Sequence, residues 1–131
     1  MKHKKFNLQI NAAALSWLDK KRASEHWGLT LDQISDLLGG VSQSTYESLL
    51  NKASTTHAVE LSADVENRLS LLLGIHKAII LSSPKSREID FWNNPINHPL
   101  FMSKSAKESL LLDPSLTNFT AIKKYFENSV A

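Results

Sequence analysis

The amino-acid sequence predicts an all-α fold, and three observations support this expectation. Apolar residues recur at helical spacing in several segments. No segment shows sustained alternation of apolar and polar residues of the kind expected for a strand. Only four Gly and four Pro interrupt the 131 residues. A hydrophobic share of 42% and a charged share of 21% are typical of a folded globular chain. The helical spacing of the apolar residues predicts about seven helices.

The first helix is expected to run from about Ala12 to Trp27. Asn11 is a candidate cap for its N-terminus, and Gly28 is expected to end it, because glycine commonly follows the last helical residue. The charged residues 19–22 are expected to form a solvated face of this helix.

Two capping boxes predict the next two helices, because the side chains of such a box satisfy free amides at a helix N-terminus. The first box is Thr30 to Gln33, and the second is Ser44 to Glu47. Residues 39–42, of sequence Gly-Gly-Val-Ser, form a tight connection between the helices. Each helix carries one apolar stripe, made of Leu31, Ile34, Leu37 and Leu38 in the first and of Tyr46, Leu49, Leu50 and Ala53 in the second.

Two short helices around so tight a connection are typical of a helix-turn-helix, in which the second helix enters the major groove of DNA. The face opposite the second apolar stripe offers hydroxyls, amides and a lysine, which suit contacts to phosphates and base edges. The candidate DNA-binding residues on it are Gln43, Ser44, Thr45, Ser48, Asn51 and Lys52. An ordinary helical hairpin would also expose a polar face, and the nearby Glu47 and the lack of an outward Arg favour that alternative. Both interpretations stay open on pattern alone.

A long helix is expected from the capping residue Ser62 to Ser82, after a polar linker at Ala53 to Glu60. Between Leu69 and Leu81 this helix is apolar on nearly every side, so it needs cover on two sides. We expect one side to meet its own domain and the other a second subunit. The candidate dimerisation residues are Leu71, Gly74, Ile75 and Ala78.

Three shorter helices are expected in the remaining third of the chain. One passes through Ile89 to Trp92, and it is followed by an irregular segment at Ile96 to Pro99, because the residue before a proline avoids helical backbone. A third capping box, Ser105 to Glu108, predicts the start of the second of these helices. The last begins at Asp113-Pro114 and carries one apolar stripe, Phe119, Ile122, Phe126 and Val130.

Recognisable catalytic chemistry is missing from the sequence. The chain has no cysteine, which excludes disulfides, thiol nucleophiles and cysteine-based zinc sites. It has no glycine-rich phosphate loop, and its five histidines share no metal-ligand spacing. We therefore expect a protein that is not an enzyme and needs no cofactor or metal. The net charge of +2 permits contact with nucleic acid, and the lack of a long apolar segment predicts a cytoplasmic protein without a membrane partner.

Several short motifs come in an order that resembles the MbcA/ParS/Xre antitoxin family. In the second half they are Leu72-Leu73-Gly74-Ile75-His76-Lys77-Ala78, Phe91-Trp92-Asn93-Asn94-Pro95, Pro99-Leu100-Phe101, Ser105-Ala106 and Leu110-Leu111. In the first half they are Trp27-Gly28-Leu29 and Leu38-Gly39 followed by Ser44-Thr45-Tyr46. The resemblance covers the chain from about Ala12 to Ala131.

Two departures from the family pattern bear on function. Residues 47–52 are less basic than the corresponding family segment, so modest DNA binding is expected. The glycines often found in the family after Pro-Leu-Phe are replaced by Met102-Ser103-Lys104, so we expect a differently shaped loop there.

The resemblance implies an antitoxin of a type II system. Residues 1–60 would bind operator DNA as an Xre-like helix-turn-helix, and residues 61–131 would bind a RES-domain toxin that attacks NAD. Such a protein would repress its own operon as a homodimer. The implied toxin contact is the last helix with its tail: Lys123, Lys124, Glu127, Asn128, Ser129, Val130 and Ala131. The loop from Asn94 to Lys104 is the next candidate for that contact. The alternatives are a free-standing dimeric helix-turn-helix regulator without a toxin and, third, a small helical enzyme.

Overall fold

A computed structural model describes residues 2–23, 27–83 and 92–128 of the chain. Within these ranges every regular element is helical, which confirms the predicted all-α fold. A 3₁₀ turn at Pro99–Phe101 lies between α4 and α5. The α-helices are α1 at Lys2–Ala23, α2 at Leu31–Leu37, α3 at Gln43–Thr56, α4 at Ala63–Ser82, α5 at Ala106–Leu112 and α6 at Leu116–Asn128.

The first helix differs from its prediction at its N-terminus. It begins at Lys2 rather than near Ala12, so Asn11 lies inside the helix and does not cap it. Asn11 is buried instead, and its side-chain amide donates to the Val59 carbonyl at 3.2 Å and to Glu66 Oε2 at 2.7 Å. The described part of the helix extends to Ala23, and its predicted end lies beyond residues 24–26, which are outside the described residues. Gly28, at φ 55°, has the left-handed backbone that glycine commonly adopts after a helix.

Among the four helices α2 to α5, the predicted capping residues are correct at three. Thr30 and Gln33 form the expected reciprocal box before α2, Ser62 caps α4, and Ser105 with Glu108 forms the box before α5. The box predicted at Ser44 is wrong. Ser42 caps α3 instead, because its backbone is extended and its Oγ accepts from the Thr45 amide at 3.2 Å.

The connection between α3 and α4 is shorter than the predicted linker. Helix α3 continues to Thr56, beyond Ala53, and ends on His57 in the left-handed conformation. The remaining connection, residues 57–62, is held against α1 because the Val59 amide donates to the Leu8 carbonyl at 3.0 Å. The predicted boundary near residue 60 therefore falls in a connection that is tied to the first helix.

Helix α4 is the centre of the molecule. It packs most extensively against α6 and also contacts α1, which in turn packs on α3. The buried side chains of both halves form one continuous hydrophobic core. Its members with less than 2% exposure include Leu15, Leu18, Tyr46, Leu72, Ile75, Phe101, Leu110, Phe119 and Ile122. The predicted stripe of the last helix is confirmed at Phe119, Ile122 and Phe126, whereas Val130 lies outside the described residues.

An aromatic cluster joins the two halves of the core. The ring of Trp27, which follows α1, stacks on the ring of Trp92 with centroids 4.2 Å apart and planes 18° apart. Trp17 of α1 and His76 of α4 pack beside them, with centroids 5.3 Å apart. Lys107 of α5 adds a hydrogen bond from its Nζ to the Trp27 carbonyl at 2.9 Å. This cluster buries Trp92 to 2% exposure.

Arg68 of α4 connects the α2–α3 turn to the segment before α6. Its Nε pairs with Asp64 Oδ2 at 2.8 Å, and its Nη1 donates to the carbonyls of Leu37 and Pro114. The guanidinium also lies 5.8 Å from the ring centroid of Phe119. Only 13% of the Arg68 side chain is exposed, so these bonds lie at the edge of the core.

Alanine substitutions at the two turn glycines next to Arg68 test how closely the turn packs against the ion pair of Arg68 and Asp64. Gly39 and Gly40 have φ values of 87° and 91°, so an alanine at either position should cost about 1–2 kcal/mol of stability. A Cβ on Gly39 would lie 2.8 Å from Asp64 Oδ2 and 2.9 Å from Arg68 Nε, whereas a Cβ on Gly40 meets nothing within 4 Å. Gly39→Ala should therefore destabilise the chain by roughly 1–2 kcal/mol more than Gly40→Ala, because the ion pair must shift. Urea denaturation of both variants measures the difference, and equal losses would contradict it.

Candidate DNA-binding and protein-binding surfaces

Helices α2 and α3 are joined by residues 38–42, and α3 presents most of its surface to solvent. Tyr46 and Ala53 are its buried residues. The Gln43 side-chain amide donates to Asp32 Oδ1, which ties the first turn of α3 to the first turn of α2. All six candidate DNA-binding residues are exposed: Gln43, Ser44, Thr45, Ser48, Asn51 and Lys52.

The hydroxyls on α3 fall into two groups. Those near the helix start and in its last turn make local bonds: Ser42 Oγ donates to Thr45 Oγ1 at 2.9 Å, and Thr55 Oγ1 donates to the Asn51 carbonyl at 2.9 Å. In contrast, no other described residue hydrogen-bonds the side chains of Ser48 or Lys52. The middle of α3 therefore offers the side chains that are best placed to meet an external partner.

A partly buried hydrogen-bond network braces α3 against α1. Tyr46 is 1% exposed, and its hydroxyl donates to Asp19 Oδ1 at 3.1 Å. Arg22 Nε donates to the same oxygen at 2.7 Å. Burial raises the pKa of the Tyr46 phenol far above its ordinary value, and the nearby Asp19 carboxylate raises this pKa further. The phenol therefore stays protonated and keeps the orientation of α3 fixed.

The structure adds Lys20 to the candidate DNA surface. An open cleft of about 300 Å³ between α1 and α3 is lined by Ser16, Asp19, Lys20, Leu50, Asn51 and Ser54. Lys20 is exposed and borders the same cleft as Asn51, whereas the sequence predicted only a solvated face for residues 19–22. Helical periodicity alone could not find this residue, because the pairing of α1 with α3 determines which α1 side chains lie beside α3.

The predicted dimerisation residues lie mainly inside the chain. Ile75 and Ala78 are buried to 0% and 3% exposure, and Leu71 and Gly74 are half-buried. The two-sided cover that the sequence predicts for α4 comes from α1 and α6 of the same chain. This packing removes the reason for placing Ile75 and Ala78 at a contact with a second subunit, while the homodimer itself stays a prediction.

Gly74 permits a close approach, but the group that approaches is Lys123 of the chain's own α6. A Cβ on Gly74 would lie 2.5 Å from Lys123 Cε. Lys123 Nζ in turn lies 3.6 Å from Glu127 Oε2. A groove of about 480 Å³ runs between α4 and α6, lined by Ser70, Gly74, Lys77, Ala78, Leu81, Lys123 and Glu127. Two candidate dimerisation residues and two candidate toxin-binding residues therefore share one surface.

The remaining candidate toxin-binding residues continue along α6. Lys124, Glu127 and Asn128 are exposed, whereas Lys123 is half-buried over Gly74. Ser129, Val130 and Ala131 lie outside the described residues.

The loop at residues 94–104 lies against α6, which brings the two candidate toxin contacts together. The rings of His98 and Tyr125 have centroids 4.9 Å apart, and so do the rings of Phe101 and Tyr125. Phe101 is 1% exposed, so it anchors the loop in the core. We refer to the exposed part of this loop together with Tyr125 as the His98–Tyr125 surface.

Comparison with known proteins returned no match: no family model, no curated protein and no solved structure corresponds to this chain. Among the described helices, none is long and apolar enough to cross a membrane. Within the same ranges, no three His, Asp or Glu side chains lie together as a metal-binding group.

The brace between α1 and α3 predicts a specific pH dependence. A tyrosine in the unfolded chain titrates near pH 10, and the folded pKa of Tyr46 is higher. Its contribution to stability is therefore complete below about pH 10 and is lost as the pH rises toward the folded pKa. At pH 7, Tyr46→Phe should lower the free energy of unfolding by about 0.5–1.5 kcal/mol, the net value of one hydrogen bond. Urea denaturation from pH 7 to 11 should show this gap closing; a gap that stays constant would contradict the prediction.

Proposed function

We propose that this chain is a non-enzymatic antitoxin that binds operator DNA through α3 and neutralises a RES-type toxin through α6 and the neighbouring loop. The observation that carries the proposal is that one continuous core holds two exposed surfaces on different helices. The polar face of α3 suits nucleic acid, and α6 with the His98–Tyr125 surface suits a protein partner. The order of motifs that resembles the MbcA/ParS/Xre family supports the same assignment.

The DNA-binding part of the proposal rests on the exposed middle of α3. Ser48 and Asn51 offer polar groups for base edges and sugar–phosphate contacts, and Lys52 with Lys20 offers positive charge. The charge is small, and Glu47 is exposed on the same helix. Each half-site can therefore neutralise only a few phosphates, so binding should be modest and its salt dependence shallow. A homodimer that presents two such helices would strengthen it.

A charge-reversal pair tests this surface. Lys52→Glu should weaken retention of the DNA upstream of the gene by roughly three- to tenfold in a gel shift at low salt, because it removes one phosphate contact and adds repulsion. Lys20→Glu should weaken retention in the same direction. Lys124→Glu is the matched control, since it makes the same charge change on an exposed residue of α6 that is neither a DNA-binding nor a dimerisation candidate, and the gel shift contains no toxin. Equal retention of DNA by the Lys52 variant and the control would exclude α3 as the DNA-binding helix.

The toxin-binding part of the proposal rests on the end of α6. NAD carries a pyrophosphate, so a toxin cleft that admits NAD should hold cationic or amide donors, which a carboxylate can engage. The side chain of Glu127 is 50% exposed, and its only close cation among the described residues is Lys123, at 3.6 Å. An exposed pair of this kind contributes little, so Glu127 can turn to a stronger partner at small cost. The exposed Lys124 would meet acidic residues at the rim and mainly speed association.

Deletion of residues 127–131 tests the neutralising segment. Phe126, the last buried residue of α6, remains in the truncated chain, so the helical circular dichroism spectrum should be unchanged. Toxicity should return when the truncated protein is co-expressed with its toxin, because the segment that caps the cleft is gone. A second truncation that removes only residues 129–131 separates the tail from Glu127 and Asn128. Full protection by the longer deletion at equal expression would move the contact to residues 94–104.

The alternative function is a free-standing dimeric helix-turn-helix regulator. The observation that favours it is the apolar exposure on α4, where Ile80 is 46% and Leu81 is 60% exposed, which could serve a dimer that needs no toxin. A neighbouring RES-domain gene whose product co-purifies with this chain supports the antitoxin, and no binding between the two proteins supports the regulator. Turnover of NAD by the purified chain would favour the third alternative, an enzyme.

A further inference from the structure

Met102 has the most exposed large apolar side chain among the described residues, at 73%. It lies on backbone that disfavours any side chain, with φ 49°, and the next residue, Ser103, has φ 65°. Glycine occupies this left-handed region at lower energy than any other residue. The chain therefore holds two consecutive non-glycine residues in a conformation that opposes folding.

The turn that carries Met102 is held in place on both sides. The Met102 amide donates to the Pro99 carbonyl at 3.2 Å, and the Lys104 amide donates to the Phe101 carbonyl at 2.9 Å. Across the base of the loop, the Ile96 amide donates to the Lys104 carbonyl at 3.0 Å. These bonds and the buried Phe101 ring fix the direction in which the turn projects.

The exposed Met102 side chain gains little from the fold, and its backbone conformation costs stability. Strained backbone of this kind is typical of sites that contact a ligand or partner. Methionine is a flexible, polarisable side chain that is well suited to filling a pocket on another protein. The aromatic ring of Tyr125 and the exposed Lys124 lie on the adjoining helix, and aromatic residues are enriched around such anchors.

We propose that Met102 is an anchor that inserts into an apolar pocket of the toxin, next to the contact made by the end of α6. This inference rests on the proposed function and extends it, because it assigns a specific part of the toxin contact to the His98–Tyr125 surface. The rigid turn lowers the entropy cost of binding, since the side chain is already presented in one direction.

Two glycine variants separate the cost of the backbone from the role of the side chain. Met102→Gly and Ser103→Gly each remove one unfavourable φ, so each should raise Tm by about 1–3 °C. Only Met102→Gly removes the anchor, and it should weaken binding to the toxin by roughly tenfold or more. Ser103→Gly should bind within about twofold of the original chain, and Met102→Leu should restore most of the affinity because it keeps an apolar side chain. The probe is the full chain titrated with catalytically silenced RES-domain toxin in a calorimeter.

Each outcome has a defined consequence. Weaker toxin binding by Met102→Gly, with affinity kept by Ser103→Gly and mostly restored by Met102→Leu, supports the role of Met102 as an anchor. If the original chain binds the toxin and Met102→Gly binds equally well, the anchor is overturned and the proposed function stands. If the original chain does not bind the toxin, the proposed function and the anchor fall together. A Tm lowered by Met102→Gly, or a loss of self-association with toxin binding unchanged, also overturns the proposal, because the side chain would then serve the fold or a second copy.

Discussion

Arg68 of α4 joins three segments of the fold through one largely buried side chain. Its guanidinium pairs with Asp64 on its own helix and donates to the carbonyl of Leu37, at the end of α2, and to that of Pro114, before α6. It also lies over the ring of Phe119. Because the arginine is largely buried, loss of its donors would leave carbonyl groups without partners, at about 1–3 kcal/mol for each group that stays buried. One side chain thus connects the turn before α3 to the helix that carries the toxin-binding candidates.

The packing of α6 on α4 determines which surfaces remain for partners. A helix that is apolar on nearly every side can be covered by its own chain or by a second one. Here α1 and α6 of the same chain provide that cover, so Ile75 becomes part of the core. What stays accessible is the groove over Gly74, the apolar end of α4 near Leu81, and the turn that carries Met102. These surfaces lie on the second half of the chain, while the polar face of α3 lies on the first.

The two candidate surfaces differ in physical character. The face of α3 is rich in hydroxyls and poor in charge. Its orientation is fixed by the hydrogen bond from Tyr46 of α3 to Asp19 of α1. The surface around the loop and α6 combines the exposed Met102 and His98 and the half-buried Tyr125 with the charged side chains of Lys124 and Glu127, and a left-handed turn lies at its tip. A polar face with few cations suits binding that depends on several copies, whereas a rigid apolar projection suits one specific protein pocket. The proposed division of labour between DNA and toxin follows from this contrast.

The all-α class and most helix starts could be predicted from the sequence because they depend on interactions between residues that are close along the chain. Caps at Thr30, Ser62 and Ser105 depend on side chains bonding amides three residues away, and the stripe of α6 depends on helical spacing alone. The cap of α3 shows the limit, because Ser42 and Ser44 are both suitable and only the backbone before the helix distinguishes them.

Features that require knowing which helix lies opposite were decided by the tertiary structure. These are the bridge from Asn11 to Glu66, the contact of Gly74 with Lys123, the position of Lys20 beside Asn51, and the contact between the rings of His98 and Tyr125. In each case the partners are distant in sequence, so neither periodicity nor capping chemistry carries information about their meeting.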